Sequence, residues 1–568
     1  MLQYTFSFNH AHRHFIDIEF HVDNHQSSSL VLQLPSWRPG RYELGDFAKN
    51  IQYLRVNDIK GMPLKFEKLT KDSWLVSTPN VSQLVVSYNY YSNELNAGST
   101  YLDEKQLYVN PVNCCLYIPN RIKESCALDI QVPEDYKIAC ALGKTSLLVA
   151  QNFDQLAESP WIASASLQYQ TYTVNGVQFY VWFQGDCLPD WSRLLKDFKA
   201  FTKAQVKDFT SFPGNEYHFI NQIVPYKAYH GVEHTASTVI CLGPGSELMS
   251  KDLYTSLLGV SSHEFYHTWN IKQIRPQALL PYDYSKENYS RMGYLYEGVT
   301  TYMGDLYLMR SKVFSVSEFY KTQEENIDRY FHNSGRFNMS VAESSFDTWL
   351  DGYQSGIPHR KVSIYNEGAL CAFMLDVALL EQTHGQLSLR DLMDRLYVNY
   401  ALEGKGITEQ DYITELVFMG AEKAQGIVSS YIYGTKDFTR GLEMAFSLLG
   451  LRMDTQENSD FFAAKLGIKG TKTKEGLRIN QVLPNSISDK KKIAEGDLVL
   501  KINGESLSDE VLELAKLESS VLISLKRRFE TIDVRLMIDE QSYFQRKQIY
   551  ELEDKSKSQA LLYAHWIS

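Results

Sequence analysis

The sequence predicts a multidomain α+β protein, on three observations: its length, a change of hydrophobic period near residue 170, and a second change near residue 455. At 568 residues the chain exceeds the roughly 250–300 residues at which one core stops growing, so it should divide into domains. Residues 1–170 carry period-two runs such as FIDIEFHV, LVLQL, SWLVS and QLVVSYNYY, broken by Asn, Asp, Gly and Pro clusters. That is the pattern of an N-terminal antiparallel β-sandwich. Residues 171–455 turn to helical spacing, as in DWSRLLKDFKAFTKAQVKDF, GALCAFMLDVALLEQ and LRDLMDRLYVNY, and read as an α-rich domain. Residues 456–540 alternate strand-like runs with turn signals, as in LGIKG, GLRINQVLPNS and GDLVLKINGESL, and read as a small β-rich module. Residues 541–568 are polar and form a tail that can end in a docked helix.

Composition narrows the function classes. Hydrophobic residues make up 44% and charged residues 22%, which is ordinary for folded domains and unlike a disordered chain. The formal charge of −11 offers no general attraction to nucleic acid or to an anionic membrane, so neither is expected as a partner. The start, MLQYTFSFNHAHRHFIDIEF, lacks the basic and apolar stretches of an export signal. The longest apolar candidate for a membrane span, GALCAFMLDVALL, is short and interrupted by Asp376. A soluble, cytoplasmic protein is the expectation. Seven cysteines without recurring spacing do not make a disulfide framework, and the adjacent Cys114 and Cys115 do not make a zinc CxxC pair.

The chemistry is concentrated in His263-Glu264-Phe265-Tyr266-His267, which follows the helical run DLYTSLLGVSS. On a helix, positions i and i+4 lie on one face a turn apart, so His263 and His267 can reach one metal ion. Catalytic zinc usually takes three protein ligands and leaves a position for water. A third ligand is available 30 residues after His267, where GYLYEGVTTYMGDLYLMR reads as a second amphipathic helix carrying Glu297. Two imidazoles and one carboxylate suit Zn²⁺, one ion per chain, and leave it positive enough to activate water near neutral pH. Glu264, beside the first ligand, is placed to act as general base.

These residues resemble a known family. HEFYHTWNIKQIRP followed by YLYEGVTTYMGD is similar to the glycyl aminopeptidase family of gluzincin zinc metallopeptidases (peptidase family M sixty-one). LPSWRPGRYELGDFAKNI, HGVEHTAS, SSFDTW and SIYNEGALCAFMLD match in that family's order. The resemblance implies a thermolysin-like catalytic domain at 171–455, a PDZ-like domain at 456–540, and release of small N-terminal residues such as glycine or alanine from peptides with a free N-terminus.

The resemblance also implies roles for single residues. Glu233, in HGVEH, falls where gluzincin exopeptidases bind the substrate's α-ammonium, and a carboxylate fixed there orients the first peptide bond. Tyr365, in SIYNEG, corresponds to the tyrosine that donates a hydrogen bond to the developing oxyanion. Gly231 would let the backbone approach the substrate closely. His234 either orients Glu233, lines the pocket or is a structural histidine. Trp269 and Asn270, after the second ligand, would hold the histidines in place.

Three positions depart from the family pattern: His230 precedes Gly231 where a glycine is usual, Glu367 replaces a lysine, and Tyr294 stands where tryptophan is common. They bear on the size and charge of the substrate pocket and spare every ligand, base and donor. The PDZ-like domain implies capture of a peptide C-terminus, or mere packing on the catalytic domain. Two other functions stay open on the residues: a zinc endopeptidase or other zinc hydrolase on the same scaffold, and a non-catalytic peptide-binding scaffold.

Overall fold

A computed structural model of the protein describes residues 2–24, 27–354, 356–420 and 422–568. The chain divides into two compact units. The first is Met1–Ser315 with Ser345–Ser355 and Leu387–Gly420, and the second is Val316–Ser344 with Gly356–Gln386 and Ala421–Ser568.

The first unit opens with the expected β-rich domain. Its largest sheet runs Leu147–Ala150, Cys126–Ile130, Leu2–Ser7, Phe15–Asp23, Gln83–Tyr91 and Leu54–Asp58 in spatial order. Alternation sets the faces: Ile16, Ile18, Phe20 and Val22 of Phe15–Asp23 are buried while their neighbours are not. Pairing is antiparallel except between Leu2–Ser7 and Cys126–Ile130, which run parallel. Smaller three- and four-stranded antiparallel sheets complete the domain.

The span read as α-rich begins with a second kind of sheet. Gln168–Val174, Val177–Gln184, Glu216–Ile223, Ser237–Gly243 and Ala228–Glu233 lie in that order, with Ala228–Glu233 at an edge. The three middle strands pair in parallel and both outer ones antiparallel. These strands did not announce themselves because VQFYVWFQ and STVICLG are nearly continuous apolar runs, and a short buried strand of this kind lacks the alternation that separates it from a helix. Helix Trp191–Lys207 lies within this stretch, and helix Lys251–Tyr266 packs on the last two strands. The latter begins on Ser250, whose side chain accepts from the Leu253 N–H and caps the helix.

The second unit combines helices with a β-rich module. Asn366–Gln382 is buried all round from Asn366 to Leu380, as a helix without a polar face must be. The module's sheet orders Ile468–Lys472, Leu477–Val482, Leu498–Ile502, Ser520–Arg527 and Glu530–Met537, with Glu505–Ser506 paired to the middle strand. It has its own core, including Leu466, Ile468, Val499, Ile502, Ile523 and Leu536. The C-terminal tail is structured. Arg546–Glu551 pairs antiparallel with Leu451–Gln456, and helix Lys557–Ile567 inserts Trp566 beside Phe319 and Phe373, with ring centroids 5.6 and 5.7 Å away.

All seven cysteines are buried and free. Among the described residues no helix is long and apolar enough to cross a membrane. Because Trp566 is only 1% exposed, Trp566→Ala should cost about 3–5 kcal/mol in denaturant melts of the full chain. A loss below about 1 kcal/mol would show that this tail does not hold the second unit together.

Candidate active site

The two histidines of the HExxH motif occupy the last turn of helix Lys251–Tyr266, His267 serving as its C-cap residue. Their Nε2 atoms approach to 3.1 Å. The Glu297 Oε2 lies 3.6 Å from His263 Nε2 and 3.4 Å from His267 Nε2. Four-coordinate zinc with bonds of about 2.0–2.1 Å places its ligand atoms about 3.3 Å apart, so these three donors already stand at tetrahedral ligand spacing. Glu297 Oε2 is buried with no hydrogen-bond partner, which is costly for a carboxylate oxygen unless a cation satisfies it. The residues present therefore fit a zinc ion.

Local structure explains the convergence. Glu297 sits in a single π-helical turn, Tyr294–Val299, that leads into helix Thr300–Arg310. Such turns widen a helix and re-aim its side chains, often at functional sites. The sequence pattern shows one continuous amphipathic helix here, but the segment is buried on nearly all sides. Gly304 lets this helix approach the motif helix, since a Cβ there would stand 3.0 Å from the His263 Cα. Ser262 Oγ donates to the Gly304 carbonyl at 2.7 Å and locks the crossing.

Asn270 completes the frame. Its side-chain amide donates to the Leu295 carbonyl (2.8 Å) and to Thr300 Oγ1 (3.0 Å), and its own carbonyl accepts from His267 Nδ1 (2.6 Å). A proton held on Nδ1 leaves Nε2 of His267 as the donor toward a metal. Trp269 stacks on Phe209 at 4.3 Å and donates to the Ser211 carbonyl, fixing the segment from the other side.

Around the trio the charges are buried. Burial lifts the Glu264 carboxyl to about 8, against the pull of His267 and with the push of Glu233 and Glu297. For His267, burial works downward but Glu297 and Glu233 outweigh it and raise the imidazole to about 9. Burial opposes ionisation of Glu297 too, yet His267 and His263 hold it near 2.

Glu233 ends the edge strand Ala228–Glu233 and is buried. It converges with Glu264 and His267, each offering an atom within 4.8 Å of the others. Its Oε1 is 3.6 Å from Lys272 Nζ, which also contacts Glu158 Oε2 at 2.9 Å. Lys272 is thus a buried ammonium between two carboxylates, which raise its pKa against the effect of burial. Sequence reading passed over Lys272, although a lysine amid the apolar residues of HTWNIKQI was a visible signal. It also passed over Glu158 and Gly40, whose Cα, at φ +81°, backs onto the Glu233 carboxylate so closely that a Cβ would lie 2.4 Å from Oε2.

The remaining candidates fall into place differently. A Cβ on Gly231 would stand 2.2 Å from Glu264 Oε1, so this glycine makes room for the Glu264 side chain. His234 is buried, and neither ring nitrogen has a hydrogen-bond partner. Glu158 Oε2 lies 4.0 Å from its Nδ1. Burial, with Lys272 and Arg38 nearby, keeps it neutral. Tyr365 is half-buried at the N-cap of helix Asn366–Gln382, in the second compact unit, whereas the metal trio and Glu233 belong to the first.

Family models match three stretches of the chain: "Peptidase M61 N-terminal domain" over residues 3–165, "M61 glycyl aminopeptidase" over residues 256–371, and "PDZ domain" over residues 448–518. The chain belongs to the glycyl aminopeptidase family. It is a zinc metallopeptidase of the aminopeptidase type. Among solved structures, an aminopeptidase N family protein from Idiomarina loihiensis is similar over 100% of both chains, with 24% identity and a TM-score of 0.91, and shares the fold. An M1 zinc metallopeptidase from Deinococcus radiodurans has 14% identity over 77% of this chain and 94% of that one, TM-score 0.48. Yeast LTA4 hydrolase in complex with bestatin has 13% identity over 78% and 67%, TM-score 0.44. No curated protein matches the sequence.

In the metal-free enzyme a proton on His267, with its pKa raised to about 9, must leave before Nε2 can bind a metal. Zinc uptake at pH 7 should therefore release at least one proton per ion, and affinity should climb as pH rises toward 9. Calorimetry in buffers of differing ionisation enthalpy measures this. Proton-neutral binding at pH 7 would contradict the arrangement.

Proposed function

We propose that the enzyme removes the first residue of peptides with a free N-terminus, favouring small residues such as glycine and alanine. The observation that carries this reading is the buried Glu233 carboxylate at the end of the edge strand, converging with Glu264 and His267. A carboxylate fixed beside the reacting centre pairs with an α-ammonium and holds the first peptide bond in position for attack. An endopeptidase has no use for an anion there, since the chain would have to pass it. The small-residue preference is supported by the family's description as glycyl aminopeptidases.

His263, His267 and Glu297 would hold one zinc ion per chain, and the chemistry supplied by such an ion is activation of water and polarisation of the peptide carbonyl. Glu264 accepts the attacking water's proton at its carboxylate and delivers it to the departing amine. Burial, which raises the Glu264 carboxyl, favours its holding the proton between the two halves of that transfer. Lys272 keeps the Glu233 carboxylate from standing as an uncompensated buried charge. Tyr365 is assigned the hydrogen bond to the oxyanion, on its place in the family motif. The PDZ domain offers Ile468–Lys472, at the edge of its sheet, for addition of a peptide strand.

The test uses free and N-acetylated Gly, Ala, Leu and Phe p-nitroanilides with the wild-type enzyme and Glu264→Gln. Free Gly and Ala substrates should be cleaved and their acetylated forms refused. Glu264→Gln should lower kcat by about 10²–10⁴-fold while retaining zinc. Cleavage of blocked substrates would overturn the exopeptidase reading, and an active Glu264→Gln would remove Glu264 from the role of base.

A further inference from the structure

Within the first unit, on the segment whose Gly40 backs onto the Glu233 carboxylate, lies a cavity of about 710 Å³ with Arg38, Arg41, Tyr90, Asn113, Trp349 and Tyr353 among its lining residues. Arg38 is the one buried charged group in its lining, at 5% exposure; the others, including Arg41, Glu43, Glu94, Glu287 and Asp351, are half-buried or exposed. Its guanidinium is pressed against Gly98, where a Cβ would come within 2.1 Å of Cζ. Nη1 is sealed from solvent without a hydrogen-bond partner, and among the described residues the side chain makes no hydrogen bond or ion pair.

An arginine keeps its charge at any ordinary pH and carries five donors. Buried charges are normally paired, since an uncompensated one is costly. The neighbours do not supply the partner. Arg41 is itself cationic and is taken up by Glu43. Glu233, the nearby buried carboxylate, is paired to Lys272 and closes no ion pair with Arg38. His230, which stands where the family pattern has glycine, is near both arginines and is held neutral, its pKa depressed to about 3 by burial and by those two charges. The Arg38 charge is therefore left without a protein counter-ion at contact distance.

We infer that Arg38 binds a carboxylate of the peptide substrate while Glu233 holds its ammonium, so that the enzyme selects peptides by both ends of a short dipole. This rests on the aminopeptidase reading. With a small first residue the carboxylate must come from farther along the peptide, either the C-terminal carboxylate of a dipeptide or an acidic side chain at the second position. A guanidinium fork matches either one.

The experiment measures glycine release by the full-length zinc-loaded enzyme from four peptides: Gly-Ala, Gly-Ala-amide, Gly-Asp-amide and Gly-Asn-amide. At least one carboxylate-bearing member should exceed its neutral counterpart by about tenfold or more in kcat/KM, with the difference in KM. An advantage of Gly-Ala over its amide identifies the C-terminal carboxylate, and one of Gly-Asp-amide over Gly-Asn-amide identifies the side chain. Arg38→Met should bring the ratio to about one, and Arg38→Lys, which keeps the charge without the fork, should leave an intermediate ratio and decides the matter if Arg38→Met does not fold. Equal turnover within both pairs by the wild type, or a ratio unchanged in the variants, overturns the inference while leaving the aminopeptidase reading intact. Release of glycine from none of the four overturns that reading and the inference with it.

Discussion

The metal site depends on one close approach of two helices. Helix Thr300–Arg310 meets the motif helix at Gly304, where the separation leaves no space for a side chain. Ser262 Oγ bonds across the crossing, and Gln205 Nε2 in turn donates to Ser262 Oγ at 2.9 Å. From this fixed point the π-helical turn at Tyr294–Val299 swings Glu297 onto the two imidazoles. Asn270 ties the two segments together a second time. Interior packing of this kind does not give by continuous deformation, so the ligand spacing is set by the scaffold rather than assembled by the metal.

Such a scaffold concentrates charge where little water reaches. Glu158, Glu233, Glu264 and Glu297 are all buried, and so are Lys272 and Arg38. Lys272 answers two of the carboxylates and the imidazoles answer Glu297. What is left over is informative: an orphaned oxygen on Glu297, another on Glu264, and the unpartnered guanidinium of Arg38. Local rules of polar satisfaction are broken at functional sites and kept elsewhere. Among the buried charged groups, a cation would satisfy the Glu297 oxygen and an anionic group the Arg38 guanidinium.

The sequence revealed the site more fully than the fold around it. The i, i+4 spacing of His263 and His267 has a direct geometric meaning, the helices around Trp191–Lys207 and Lys251–Tyr266 followed from periodicity, and the expected helix at Asn366–Gln382 is there although it has no polar face. The five-stranded sheet between residues 168 and 243 was hidden, because VQFYVWFQ and STVICLG are apolar runs without a clear period and EYHFINQI buries polar residues that read as solvent-facing. The π-turn was hidden as well, since nothing in YLYEGV distinguishes it from an α-helix. Gly231 was singled out for close approach, and the Glu264 carboxylate is a neighbour it makes room for. Lys272 and Arg38 escaped notice because a charged residue reads as solvent-facing until the structure shows it buried.

X-ray absorption at the zinc edge of the loaded full-length enzyme reads the ligand shell itself. One zinc per chain is expected, with a first shell of two imidazole nitrogens, one carboxylate oxygen and solvent, and with the carboxylate contribution lost in Glu297→Ala. A shell containing sulfur, a shell without two imidazoles, or a spectrum unchanged by Glu297→Ala would show that the convergence of His263, His267 and Glu297 is not the metal site.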